Sequence, residues 1–219
     1  MSDLLVLEAV SKSFDGILAV DEVSLTLAEG GRLALTGCDG AGKSTLLDLV
    51  AGSLKPDRGS IRFDGAEISG LAADRVAALG IARVFDPPRP FAALSVEDSV
   101  TAAALLRERE VAAARQYAGE ILERLELAPL RHRPAGRLKP LELKRLELAR
   151  ALATRPRLLL LDEIFAEANP DEAAALGELL RRDGLTLLLA EHDRHTVAPF
   201  ADRILHLEHG WIEPQETPP

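Results

Sequence analysis

The sequence predicts a parallel α/β core that begins with a β-rich portion and carries a helical insertion. Three observations predict it. The runs Arg157 to Leu161 and Leu185 to Ala190 have the length and apolar character of strands covered on both faces. The opening third alternates short apolar runs with turn signals. From Ser95 to Ala153 there is hardly a β-rich run, and Ala, Leu, Glu and Arg, all strong helix formers, dominate.

In chain order, Leu4 to Ala9, Ile17 to Val20 and Val23 to Leu27 read as strands, broken by Asp15-Gly16 and Glu29-Gly30-Gly31. Arg32 to Thr36 is a further strand, followed by the glycine-punctuated loop Gly37 to Gly42. Lys43 to Ala51 has helical spacing, with Leu46, Leu47 and Val50 on one side and Gly52 as a stop. Ser60 to Phe63, between Asp57-Arg58-Gly59 and Asp64-Gly65, is a strand in a hairpin. Helices are predicted at about Ser95 to Arg107, Glu110 to Leu127 and Pro140 to Ala153, the last tolerating Pro140 in its first turn. Asp171 to Arg182 is helical. Arg203 to Leu207, His209-Gly210 and Trp211-Ile212 form a final hairpin, and the Pro-rich tail after Glu213 is read as loose.

The chain has 219 residues, 47% of them hydrophobic, enough to bury a core of normal depth without metal or disulfide staples. Its formal net charge of -9 disfavours a general binder of nucleic acid or of anionic lipid surfaces. A single cysteine, Cys38, forbids an intrachain disulfide and fits a reducing compartment. The start lacks a signal-peptide pattern, and no run approaches the roughly 18 apolar residues of a membrane span. The expectation is a soluble cytoplasmic chain.

Gly37-Cys38-Asp39-Gly40-Ala41-Gly42-Lys43-Ser44 fits G-x-x-x-x-G-K-[ST] between a strand and a helix. Glycines let backbone N–H groups turn inward around phosphate oxygens, and the helix N-terminus adds positive potential. Candidate phosphate-binding residues are therefore Gly37, Asp39, Gly40, Ala41, Gly42, Lys43, Ser44 and Thr45. Lys43 is expected to reach the β- and γ-phosphates, and Ser44 to ligate Mg²⁺. Leu158-Leu159-Leu160-Leu161-Asp162-Glu163 is a buried strand ending in two acids. Alternation along a strand points them differently. Asp162 is expected to hold Mg²⁺, through water, and Glu163 to orient and polarise a water attacking the γ-phosphate.

With these motifs, the chain resembles the nucleotide-binding subunit of ATP-binding-cassette (ABC) transporters along essentially its whole length. LLDLVAGSLKPDRGSIRFDG, from Leu46 to Gly65, is similar to the family's text after the phosphate loop. Arg145 to Leu152 resembles the helix after its signature motif, and Ala201-Asp202-Arg203-Ile204 its C-terminal segment. Asn169-Pro170 is similar to the branched-chain amino-acid uptake branch. The resemblance implies a single P-loop cassette over residues 1–219, an antiparallel β subdomain, and a helical subdomain inserted at about 87–153. It also implies that Phe14 stacks on adenine, the alternative being an ordinary core phenylalanine. His192 matches a histidine that contacts the γ-phosphate, the alternative being a surface histidine.

Two departures stand out. Asp86 occupies the place of a glutamine that touches the metal's water shell and borders the membrane subunits, so Asp86 is a further candidate metal contact that adds negative charge near phosphate. Leu138-Lys139-Pro140-Leu141-Glu142 stands where the family has a motif close to L-S-G-G-Q, which closes over the ATP of the opposite subunit. Here the serine hydroxyl is replaced by Lys139, an N–H is lost at Pro140, and Leu141 adds bulk. This half-site is expected to be impaired. The resemblance thus implies an ATPase using ATP and Mg²⁺, attached to transmembrane permease subunits at the inner face of the membrane. A second, non-identical cassette is favoured as its dimer partner. The alternatives are a catalytically weak binding subunit that supports an intact cassette, and a soluble ABC protein of repair or translation, which the acidic balance disfavours.

Overall fold

The computed structural model describes residues 3–166, 168–182 and 184–213. The first two residues of the chain start and the tail after Glu213, both read above, lie outside the described residues. In chain order the elements are β1 (Asp3–Phe14), β2 (Ile17–Ala28), β3 (Arg32–Thr36), α1 (Lys43–Val50), β4 (Arg58–Phe63), β5 (Ala66–Glu67) and α2 (Ala73–Ala78). There follow β6 (Ile81–Val84), α3 (Val96–Ala104), α4 (Val111–Arg124), α5 (Pro140–Ala153), β7 (Leu158–Asp162) and α6 (Pro170–Arg182). The chain continues through β8 (Thr186–Glu191), α7 (Arg194–Val197), β9 (Arg203–Glu208) and β10 (Trp211–Ile212).

Among the described residues there are two sheets. An antiparallel sheet of order β2-β1-β4-β5 is built from the opening third, and a second sheet has the order β10-β9-β3-β8-β7-β6. In the latter, β9, β3, β8, β7 and β6 run parallel, and β10 returns antiparallel to β9. This is the α/β fold with an antiparallel β portion and a helical insertion.

Strand alternation in the central sheet feeds two cores. Leu33, Leu35, Leu158, Leu160, Leu188 and Ala190 face the side chains of β1, β2, β4 and α1. Ala34, Leu159, Leu161, Leu187 and Leu189 face a second cluster that contains Val96, Val100, Ala118, Ile121 and Leu122 of the insertion. Each such leucine, fully buried, stabilises the fold by roughly 1.5–3 kcal/mol over leaving it in water. The continuous leucine runs of β7 and β8 are thus explained, since both faces are covered.

Helix α5 has the bounds its sequence predicts, whereas α3 and α4 end short of theirs. One continuous β2 replaces the two strands read at Ile17 to Val20 and Val23 to Leu27. The polar pair Asp21-Glu22 does not end the strand because other segments satisfy its backbone. Asp21 N–H donates to Gly210 O at 2.8 Å and Glu22 N–H to Ser11 Oγ at 3.0 Å.

Candidate functional site

In an open parallel sheet the crevice beyond the carboxyl ends of the strands is where loops from several strands meet. Four such ends converge here, because the pairing register aligns Thr36 of β3 with Glu191 of β8, Asp162 of β7 with Ala190 of β8, and Val84 of β6 with Leu161 of β7. The loop Gly37 to Gly42, Glu163 and His192 follow directly from those ends, and Asp86 follows Phe85 just past β6.

Two glycines of the loop are required by space. A Cβ on Gly37 would come within 2.2 Å of Leu207 O, and one on Gly42 within 2.1 Å of Ala19 O. Gly42 also sits in the left-handed region at φ 103, immediately before α1. The loop then wraps the Lys43 ammonium, which is buried and donates to Gly37 O at 2.7 Å and to Cys38 O at 3.0 Å. Cys38, Asp39 and Gly40 are exposed at the loop's tip.

Ser44, in the first turn of α1, donates to Asp162 Oδ1 at 3.1 Å. The hydroxyl and carboxylate that the sequence assigns to one hard cation therefore lie side by side, and an all-oxygen pair of this kind suits Mg²⁺. Asp162 is almost fully buried, which pushes its carboxyl up, while the Arg83 guanidinium opposes that shift. Arg83 Nη2 donates to Asp162 Oδ2 at 2.9 Å, and Nη1 pairs with Asp48.

Glu163 has φ 46, a left-handed conformation uncommon for a residue with a Cβ. Its N–H donates to Ala190 O at 2.9 Å and its carbonyl accepts from Lys144 Nζ at 2.8 Å. Its carboxylate lies 2.6 Å from His192 Nε2, and the same nitrogen is 3.3 Å from Asp39 Oδ1. Behind them, Glu191 is buried and accepts from Phe165 N–H at 2.9 Å. Burial, reinforced by the Glu163 charge and opposed by the Phe165 hydrogen bond, Lys144 and His192, pushes the Glu191 carboxyl up to about 7.

Asp86 is not left as a bare charge beside the site, because Lys144 Nζ lies 3.3 Å from its Oδ1. Phe14 ends β1 with 44% of its surface exposed, so it is not a core residue, and Lys12 Nζ lies 5.6 Å from its ring centre. At the start of α5, Lys139 N–H donates to Glu142 Oε2 at 2.8 Å, and Arg133 lies 3.8 Å from the same oxygen. The carboxylate of Glu142 thus caps its own helix N-terminus.

Sequence reading missed Arg83, Lys144 and Glu191. Arg83 and Glu191 carried a signal, since a charged residue inside or ending an otherwise apolar strand must find a buried partner. Lys144 carried none, being one of several cations on a helix rich in them.

A glycine-lined loop ahead of a helix, with a serine–aspartate pair beneath it, defines a P-loop nucleotide-binding protein. Comparison narrows the class. Residues 20–166 match the ABC transporter family, and the chain belongs to it. It is 34% identical over 229 residues to the high-affinity branched-chain amino acid transport ATP-binding protein BraF of Pseudomonas aeruginosa, covering 94% of this chain and 89% of that protein. With LivG of Salmonella typhimurium, described in the same words, identity is 33% over 234 residues, covering 98% of this chain and 92% of LivG. Among solved structures, the dimeric bacterial ABC transporter cassette MJ0796 superposes with a TM-score of 0.89 at 26% identity, covering 96% of this chain and 97% of that one. The same cassette in a post-hydrolysis state, bound to ADP and Pi, superposes with a TM-score of 0.87. The chain is an ABC transporter ATP-binding subunit with the ATPase fold. No described helix is long and apolar enough to cross a membrane.

Proposed function

We propose that this subunit hydrolyses ATP to drive uptake of branched-chain amino acids or a similar small solute, working from the cytoplasmic face against separate permease subunits. The observation that carries the reading is the contact of Ser44 with Asp162 beside that of Glu163 with His192. In this reading the chain is one cassette over residues 1–219, with its helical insertion at about 87–153. Phe14 stacks on adenine, and the amides of Gly37, Asp39, Gly40, Ala41 and Gly42, with those of Lys43, Ser44 and Thr45, cradle the phosphates. Lys43 exchanges its loop carbonyls for β- and γ-phosphate oxygens. Ser44 and Asp162 would hold Mg²⁺, which would supply charge neutralisation at the phosphates. Asp86, held by Lys144, would contribute negative charge on the side of that ion. Glu163 accepts a proton as the water oxygen attacks the γ-phosphorus and the bond to the β-phosphate oxygen breaks. His192 orients Glu163 and meets the γ-phosphate.

Relatives named as branched-chain transport proteins support the solute class. A groove of about 660 Å³ lined by Phe85, Phe91, Ala102, Ala103 and Leu106 supports permease docking near the site, since Phe85 precedes Asp86. The self-capped start of α5 supports a heterodimer. It leaves little positive potential for a partner's ATP, so a good site needs this chain's phosphate loop and another cassette's intact signature. The same observation favours a second reading, a weak subunit that mainly supports an intact cassette.

Calorimetry with MgATP and turnover by the assembled transporter separate these. Lys43→Ala weakens MgATP binding, and Glu163→Gln lowers turnover roughly 100-fold or more with binding retained. Equal turnover in wild type and Glu163→Gln supports the weak-subunit reading. Unchanged affinity in Lys43→Ala overturns the site itself.

A further inference from the structure

Lys144 is a buried cation to which the reaction as described gives no part beyond its contact with Asp86. It projects from the second turn of α5, its side chain is 6% exposed, and its ammonium joins two parts of the site. One contact is to the carbonyl of Glu163 at 2.8 Å, and the other to the carboxylate of Asp86 at 3.3 Å. Glu191, buried nearby, also feels its charge.

We propose that Lys144 is a positioning residue for Glu163 and links that residue to the Asp86 segment and the helical insertion. The inference rests on the reading of Glu163 as the group that activates water. A residue with a Cβ at φ 46 keeps that conformation only where its surroundings over-determine it. The surroundings here are two bonds from different elements. β8 holds the N–H through Ala190 O, and α5 holds the carbonyl through Lys144. The β8 bond belongs to the rigid sheet. The Lys144 bond comes from α5, within the helical stretch that follows Asp86 in the chain. A shift of α5 relative to the sheet therefore acts on the Glu163 carbonyl and on Asp86 together. Turning the Glu163 peptide re-aims the carboxylate now held 2.6 Å from His192. By this route the placement of the insertion sets whether Glu163 faces its water.

The test uses the transporter complex purified through a tag on this chain, comparing Asp86→Asn with Asp86→Asn/Lys144→Met, the double variant leaving neither charge of that pair unpaired. Adding Lys144→Met is expected to lower kcat roughly 10- to 100-fold, the cost of misplacing a catalytic group by about an ångström. MgATP affinity is expected to stay within about twofold, because the phosphate loop is untouched. Equal kcat in the two variants overturns the proposal. Loss of MgATP binding along with turnover also overturns it, since that assigns Lys144 a general packing role. A Glu163→Gln control separates the two levels. If it turns over like wild type, the reading of Glu163 fails and takes this inference with it. If it is inactive while Lys144→Met has no effect, only the inference fails.

Discussion

Arg83 shows how much of the site's integrity depends on a side chain that lies outside its two sequence motifs. Its guanidinium is buried between Asp162 and Asp48, and Asp162 is the more deeply buried carboxylate. Replacing one partner of a buried pair leaves the other charge without compensation, at a cost of about 3–5 kcal/mol. Arg83→Met is therefore expected to lower the urea midpoint by an amount equivalent to that cost, and an unchanged midpoint would remove the pair's structural role. Glu191 makes a pH-dependent case. Its folded carboxyl titrates at about 7 against an ordinary value of 4.5. Between those values the folded chain holds a proton that the unfolded chain has released, so stability falls as pH rises through the window. Above about pH 7 the penalty is complete and amounts to at most about 3 kcal/mol. Glu191→Gln keeps an acceptor for Phe165 N–H and removes the titration. Its melting temperature should exceed that of wild type at pH 8 and converge with it near pH 5. Parallel curves across that range would exclude Glu191 as the source. Lys43, Ser44, Asp162 and Glu163 were legible beforehand because each lies in a short contiguous motif. Arg83 and Glu191 showed only as charges in apolar strands, and Lys144 not at all, because their partners come from other strands and helices.

Helix α5 was readable to its ends, and what its first turn does was half readable. Pro140 at the first position and Glu142 two residues later announce a helix start, but not where the carboxylate goes. In the structure it goes back to the Lys139 N–H, and the positive end of the helix is spent within the chain. Restoring Lys139→Ser, Pro140→Gly, Leu141→Gly and Glu142→Gln together should raise ATP turnover by the purified homodimer roughly tenfold or more, since preorganised donors at a phosphate are worth at least that. Steady-state hydrolysis against protein concentration reads the effect, and no gain would show that this segment is not what limits the homodimer. Other elements escaped sequence reading for local reasons. β6 is four residues with an arginine among them, and α2 is one short turn-rich helix whose start has no side-chain cap. Neither is long enough for periodicity to show.

The stretch from Ser95 to Ala153 reads as a separate unit in composition, yet its apolar residues do not form a core of their own. Val96, Val100, Ala118, Ile121 and Leu122 share one cluster with Leu159, Leu161, Leu187 and Leu189 of the central sheet. The alternation of β7 and β8 therefore couples both lobes, because every second leucine belongs to the other core. Cutting the insertion out would expose the faces of α3, α4 and α5 that now rest on the sheet. Those helices are 9, 14 and 14 residues long, at or below the length at which isolated helices become marginal in water. A peptide spanning residues 87–153 is accordingly expected to lack cooperative helical structure by circular dichroism, while the full chain melts in one transition. A fragment that melts cooperatively would show that the insertion carries its own folding unit, and that its attachment to Glu163 through Lys144 joins two independently stable bodies rather than parts of one.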